Sequence, residues 1–342
     1  MRVPQPRCLF LDLSYACNIQ CTTCRCPTID RDTGGASLSL ELANRAIDEF
    51  AAMGGESLGL YGGEPLLVKH VYDVVKHGAH AGLQVRLTTN GMPATIDNSR
   101  RLIGSGLSGV TVSVDGDKMG HETIRGKGTF DKSMQGARNL LIAARELARH
   151  DFTLDLHVTV SRGNVRSFAG LIHHAAQLGG GVSVSVTHFS RLEPPINQLE
   201  LLFKQSPDPQ RNHWNLPRDL LLRRDDVGAL IASVAEMKML AHDRGIPLNI
   251  DPALDQALDA SGLLEGTFVL RQRCPVFETA LIIGPDGAVG SCPMLTHLSF
   301  GLLSDQSLLE IWTGRLFSDA RQVLRAGYLP VCSACCNHAD LM

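Results

Sequence analysis

The 342-residue sequence predicts an α/β fold, in which six parallel strands, each followed by a helix, curl into a partly closed barrel and a smaller cysteine-rich unit follows. Three observations carry this expectation. Short β-branched runs alternate with longer stretches whose apolar residues recur at helical spacing. Glycines stand where those helices should stop. The cysteines gather towards the two ends of the chain, with none between residues 27 and 273. Strand–helix repetition of this kind predicts a parallel sheet with right-handed crossovers.

In chain order, CLFLDL (8–13) is the first expected strand, and a loop holding four cysteines follows it. Ser39 is placed to cap a helix over 40–53, in which Ala43, Ala46, Ile47 and Phe50 share one face. Strands are then expected at 57–61, 84–89, 109–114, 153–160 and 181–186, with helices at 68–81, 96–104, 130–150 and 165–178. Gly54, Gly82, Gly106 and Gly179 are the expected stops. After the sixth strand the pattern breaks into a proline-rich stretch, 191–224, long and irregular enough to suit a lid. A helix over 225–244 and a short strand at 247–250 come next. From about 271 the texture changes to cysteine, glycine and turn residues. The expected domains are therefore a core at 1–190, a lid or linker region at 191–270, and a cysteine-rich unit at 271–342.

Composition narrows the function class. The chain is 44% hydrophobic and 20% charged, ordinary for a globular protein. A net charge of −3 argues against nucleic acid as the main partner, since phosphate binding needs a basic surface. No signal-peptide pattern and no run of about 18 apolar residues is present, so the expectation is a cytoplasmic protein with no membrane span. In that compartment the bunching of ten cysteines reads as metal or cluster ligation rather than a disulfide framework.

Cys17, Cys21 and Cys24 form C-x3-C-x2-C directly after the first expected strand. Three thiolates so spaced can wrap one cubane and hold three of its four irons, leaving the last open to a ligand; electron-transfer clusters are normally closed by four cysteines. A zinc site borrowing Cys26 or Cys8 as fourth ligand is the alternative on spacing alone. The second strand runs into Gly62-Gly63-Glu64-Pro65. Glycines there let backbone carbonyls approach a ligand, and Glu64 supplies a carboxylate for an ammonium. Thr88-Thr89-Asn90-Gly91 closes the third strand, Ser113-Val114-Asp115-Gly116 the fourth, and Arg125 follows that one. All these segments lie at carboxyl ends of strands, where barrel enzymes place their chemistry.

With these motifs in this order, the chain resembles the radical S-adenosylmethionine (SAM) superfamily over roughly 8–190 and again from 271. The resemblance implies a partial (β/α)6 TIM-like barrel, a SAM-binding [4Fe–4S] cluster on Cys17, Cys21 and Cys24, and SAM as co-substrate. It implies a methionyl-amino site at Gly62, Gly63, Glu64 and Pro65, with Thr89 beside it, and a carboxylate site at Ser113 and Arg125. Ser161 is a weaker candidate for ribose or carboxylate contact. One departure stands out: the position before the third cysteine is usually aromatic in this family and here is Thr23, so adenine must be held by other contacts.

In the last quarter, Cys274 precedes an expected hairpin with Pro285-Asp286-Gly287 at its turn and Cys292 at its exit, and PVCSACCNH closes the chain. This part, including GLLSDQSLLEIW, resembles the SPASM/Twitch extension of the same superfamily. The resemblance implies one auxiliary [4Fe–4S] cluster on Cys274, Cys292, Cys332 and Cys335, with Cys336 competing for the fourth place. A structural zinc ribbon fits the spacing equally well.

The implied activity is reductive cleavage of SAM to a 5′-deoxyadenosyl radical that takes hydrogen from a substrate C–H bond, with electrons from an external donor such as flavodoxin or ferredoxin. The residues before the first strand leave no room for a peptide-recognition domain, which tilts the expectation towards a small molecule: a sugar, nucleoside or cofactor precursor. Peptide maturation is the second reading. A non-catalytic iron–sulfur or zinc protein is the third, and the strand-end motifs speak against it. Residues 188–224, including His188, Arg191 and Trp214, are expected to close the substrate cavity. No general base is assigned.

Overall fold

In a computed structural model, residues 3–24, 26–188, 219–250, 274–295 and 298–326 are described. Among the described residues ten strands form one sheet in the order β10-β9-β8-β1-β2-β3-β4-β5-β6-β7. Strands β1 (Cys8–Asp12), β2 (Ser57–Tyr61), β3 (Gln84–Thr89), β4 (Gly109–Ser113), β5 (Thr153–Val160), β6 (Val182–His188) and β7 (Leu248–Ile250) are mutually parallel, each beside its successor. Six of these are the expected barrel strands.

The crossovers are α2 (Leu40–Ala52), α3 (Val71–His80), α4 (Ile96–Gly104), α6 (Thr129–Glu146) and α7 (Leu171–Leu178), with α8 (Val227–Arg244) before β7. Ser39 caps α2 by accepting from Leu42 N, and Ala43, Ala46, Ile47 and Phe50 are buried, as the spacing predicts. The helix expected at 165–178 is split, because Phe168–Gly170 forms a 3-10 turn before α7. Two short helices escape sequence periodicity: α1 (Cys26–Asp32), straight after the cysteine loop, and α5 (Lys118–Arg125), after β4.

Side-chain alternation gives the sheet two unlike faces. Leu9, Leu11, Leu58, Leu60, Val85, Val112, Leu156, Val158 and Val184 are buried in the main hydrophobic core with residues of the helices. The opposite face carries Phe10, Tyr61, Thr88, Thr111, Ser113, Asp155, His157, Thr159, Ser183, Ser185 and Thr187. Asp155 accepts from Ser183 Oγ at 2.7 Å and from Ser185, while His157 Nδ1 lies 2.8 Å from Ser185 Oγ. A packed barrel interior would be filled with branched apolar residues. Here one wall is hydrogen-bonded and polar, as suits a ligand space.

The cysteine-rich part is built into the same sheet. After α9 (Val276–Thr279), β8 (Ala280–Ile283) runs parallel to β1, with Cys8 opposite Ala280. Strand β9 (Ala288–Gly290) turns back antiparallel, as the hairpin reading expects, and β10 (Gly301–Leu302) follows. Helices α10 (Leu308–Thr313) and α11 (Arg315–Ala326) close the described chain, and Trp312 Nε1 donates to Pro4 O at 2.7 Å. Among the described residues no helix is long and apolar enough to cross a membrane. Arg191, Trp214 and most of the expected lid lie outside the described residues; His188 ends β6.

Candidate active site

Three strand exits converge on the loop carrying Cys17, Cys21 and Cys24. The β2 exit is zipped to the start of that loop: Gly63 N donates to Ser14 O at 2.7 Å and Glu64 N to Ala16 O at 2.8 Å. A Cβ on Gly62, whose φ is +120°, would strike the Ser14 carbonyl, and one on Gly63 would strike those of Tyr15 and Ala16. Close approach of two chain segments is therefore what these glycines serve here, where the sequence suggested approach to a ligand.

Glu64 is buried, and its carboxylate accepts from Leu66 N at 3.1 Å, Thr89 Oγ1 at 2.8 Å and Asn90 N at 2.8 Å. Burial pushes its pKa up to about 7, against the pull of those hydrogen bonds and of Arg125. A carboxylate offers about four acceptor positions, so one is left for a further donor. Pro65, itself buried, begins the 3-10 turn that Glu64 caps. Asn90 extends the bridge: its Nδ2 donates to Asn18 Oδ1 at 2.7 Å and lies 3.9 Å from Cys17 Sγ.

The β4 exit supplies the cation. Helix α5 delivers Arg125, whose Nε donates to Asp115 Oδ2 at 2.6 Å in an ion pair with little exposure. Thr22, inside the cysteine loop, donates from N and Oγ1 to Ile124 O at 2.8 and 3.2 Å, so loop and helix end are tied together. Burial opposes the charge on Arg125, but Asp115, Cys21 and Cys24 outweigh it and raise its pKa. Burial pushes Cys21 up to about 12 with Arg125 pulling it down, whereas Cys24 falls to about 7, chiefly because Cys26 hydrogen-bonds to it. His121 is held neutral: its Nδ1 accepts from Asp115 N at 3.2 Å, and burial, aided by Arg125, lowers its pKa to about 4.

The remaining candidates are less central. Ser113 ends β4, half-buried, opposite His157. Ser161 is fully buried in a turn, where it accepts from Gly163 N at 3.3 Å and sits beside Asn164. Cys26 is buried behind Cys24. Cys8 starts β1, roughly 13 Å along the strand from Asp12, which removes it as a fourth ligand for the loop. Asn90, Asp115 and His121 were missed as site residues; the signal was their place in or after the same strand-end tetrads that supplied Thr89 and Ser113.

The donor chemistry fits a cluster. Three thiols on one loop interact electrostatically, with an arginine facing two of them and an amide near the third. Among the described residues no three His, Cys, Asp or Glu side chains close tightly enough for a single metal ion. A cubane asks for a wider arrangement, each thiolate meeting its own iron. In the C-terminal part, Cys274 and Cys292 are half-buried and not joined in a disulfide. Cys332, Cys335 and Cys336 lie outside the described residues, so that ligand set is not assembled here.

Comparison with known proteins bears on the same residues. Residues 11–160 match the family model of the radical SAM superfamily, and residues 274–336 match SPASM, an iron–sulfur cluster-binding domain. The mycofactocin maturase MftC of Mycolicibacterium smegmatis is 26% identical over 340 residues, which is 98% of this chain and 76% of that protein. An AdoMet-dependent heme synthase of Methanosarcina barkeri is 32% identical over 176 residues, 51% of this chain and 48% of that protein. Among solved structures, Streptococcus suis SuiB bound to the precursor peptide SuiA superposes with a TM-score of 0.67 at 13% identity, covering 98% of this chain and 72% of that one.

Proposed function

The chain is a radical SAM enzyme with a C-terminal SPASM domain, and on that premise we propose that it matures a peptide precursor by abstracting hydrogen from a C–H bond. The observation that carries the peptide reading is the extent of one match. A relative named as a maturase aligns along 98% of this chain, SPASM part included, whereas the heme synthase match covers 51%. This moves the weight away from the small molecule favoured by sequence alone. The small-molecule reading keeps two supports: the higher identity of the heme synthase over its matched half, and an Fe-coproporphyrin III synthase of Methanosarcina barkeri that is 24% identical over 88% of this chain.

When bound, the cluster supplies the electron that cleaves SAM, and the nucleoside radical so released takes the hydrogen atom. Cys17, Cys21 and Cys24 would hold that cluster, with an external reductant such as flavodoxin or ferredoxin feeding it. Glu64 keeps one acceptor position for the methionyl ammonium, fixed by Leu66, Thr89 and Asn90. Arg125, with Asp115 on its Nε, has its remaining N–H groups for the methionyl carboxylate or a thiolate. Cys274, Cys292, Cys332 and Cys335 are the proposed auxiliary ligands.

Anaerobic reconstitution should yield about eight irons, two four-iron cubanes. Replacing Cys17, Cys21 and Cys24 together by Ala should keep about half of that iron and abolish SAM cleavage. Stoichiometric zinc in place of the second cubane would overturn the auxiliary assignment. For the substrate, peptides encoded beside the gene are made with deuterated amino acids and incubated with the enzyme. Deuterium appearing in 5′-deoxyadenosine supports peptide maturation; transfer from a tetrapyrrole or nucleoside but from no peptide would restore the small-molecule reading.

A further inference from the structure

A cavity of about 250 Å3 lies between the end of β1, helix α1 and the β8–β9 hairpin, and includes Asp12, Tyr15, Ile29, Asp286 and Cys292 in its lining. It is flanked by both cysteine segments. Asp12 stands five residues before Cys17 in the chain, and Cys292 is part of the cavity wall.

Its chemistry is one-sided. The described lining residues include two carboxylates, Asp12 and Asp286, and no Lys, Arg or His. Asp286 Oδ1 already accepts from Ala288 N at 3.1 Å. Asp12 differs: it is half-buried at the cavity, its carboxyl has no hydrogen bond or ion pair to a described residue, and desolvation raises its pKa to about 7. A half-buried carboxylate that faces a cavity and has no protein donor gains from a cationic group that enters and makes a charge-assisted hydrogen bond. The other walls, Ile29, Ile282 and Leu298, are apolar and suit the methylene stem of a long cationic side chain. A bare metal ion is a poor match, since no three ligating side chains close on one point among the described residues.

We propose that this cavity is a substrate subsite for an ammonium or guanidinium group, with Asp12 as its counter-charge. The inference rests on the peptide reading above and deepens it: the enzyme grips a Lys or Arg side chain of its substrate between the two cysteine segments.

The test uses the reconstituted holoenzyme and three capped tripeptides, Ac-Gly-Lys-Gly-NH2, Ac-Gly-Arg-Gly-NH2 and the neutral Ac-Gly-Nle-Gly-NH2, with binding followed by saturation-transfer NMR. A cationic probe should bind at least about tenfold more tightly than the norleucine peptide, the discrimination expected of one charge-assisted contact. Asp12→Asn, nearly isosteric, should erase that preference, and Ile29→Trp should block the cavity and remove binding of the cation. Equal affinity of charged and neutral probes, a preference that survives in Asp12→Asn, or no binding of either cation at millimolar concentration would each overturn the proposal. Iron content and SAM cleavage of the wild type, measured on the same preparation, report separately on the radical SAM chemistry.

Discussion

Asp115 holds three elements with one residue: its Oδ2 accepts from Arg125 Nε, its Oδ1 from Thr159 N at 3.2 Å, and its own N–H ends on His121. Removing one partner of such a buried pair leaves the other charge uncompensated. Asp115→Ala should therefore cost about 3–5 kcal/mol in urea denaturation. Much of that loss should vanish when Arg125→Ala is added, a coupling that a double-mutant cycle measures directly. Glu64→Gln is subtler. The amide nitrogen cannot accept, so at least one of the bonds from Leu66, Thr89 and Asn90 is lost, for about 1–3 kcal/mol and weaker SAM binding by equilibrium titration. Thr89 and Arg125 stood out in the sequence because one ends a strand and the other follows one. Asp115 and Asn90 sat in the same tetrads but read as turn residues, since nothing local says which side chain of a turn reaches another loop.

Helices and strands with strong periodicity were read closely. Strands β2, β3 and β5 and helix α4 fall at the expected residues because alternation or the 3.6 period persists to a glycine or polar stop. Helices α1 and α5 were not found: CPTIDRD and KMGHETIR are too short to display a period, and the cysteine loop fixes both at one end. The pairing of β8 with β1 was equally hidden, because registry between distant strands leaves no mark in either segment. The β2 exit is the most sensitive junction. Gly63→Ala should force the Tyr15–Ala16 segment away, costing about 1–3 kcal/mol as overpacking does, and should lower iron retention after reconstitution. At α10, where Ser307 and Glu310 form a capping box, Ser307→Ala should cost only about 1 kcal/mol, with SAM cleavage intact.

For the molecule as a whole, three groups with shifted pKa values set opposing responses to pH. Asp12 and Glu64 both have pKa values raised to about 7, so between their unfolded values near 4 and pH 7 the native state holds those protons more tightly and stability falls as pH rises. His121, lowered to about 4, does the reverse: the unfolded chain binds more protons below pH 6.5, and stability rises with pH across nearly the same window. With two groups set against one, wild-type stability should fall from pH 4 to 7, and Asp12→Asn should leave a nearly flat profile. Thermal melts of both proteins check this, and parallel profiles would refute it. The bond between β8 and β1 has a consequence in time as well as in space. Cys8 pairs with Ala280, more than two hundred and seventy residues later. At 5–20 residues per second a ribosome needs on the order of tens of seconds to make that span, and throughout it one edge of the strand leading into the first cysteine loop has no neighbour. A nascent or prematurely terminated chain ending before residue 280 is thus a sticky template for other chains.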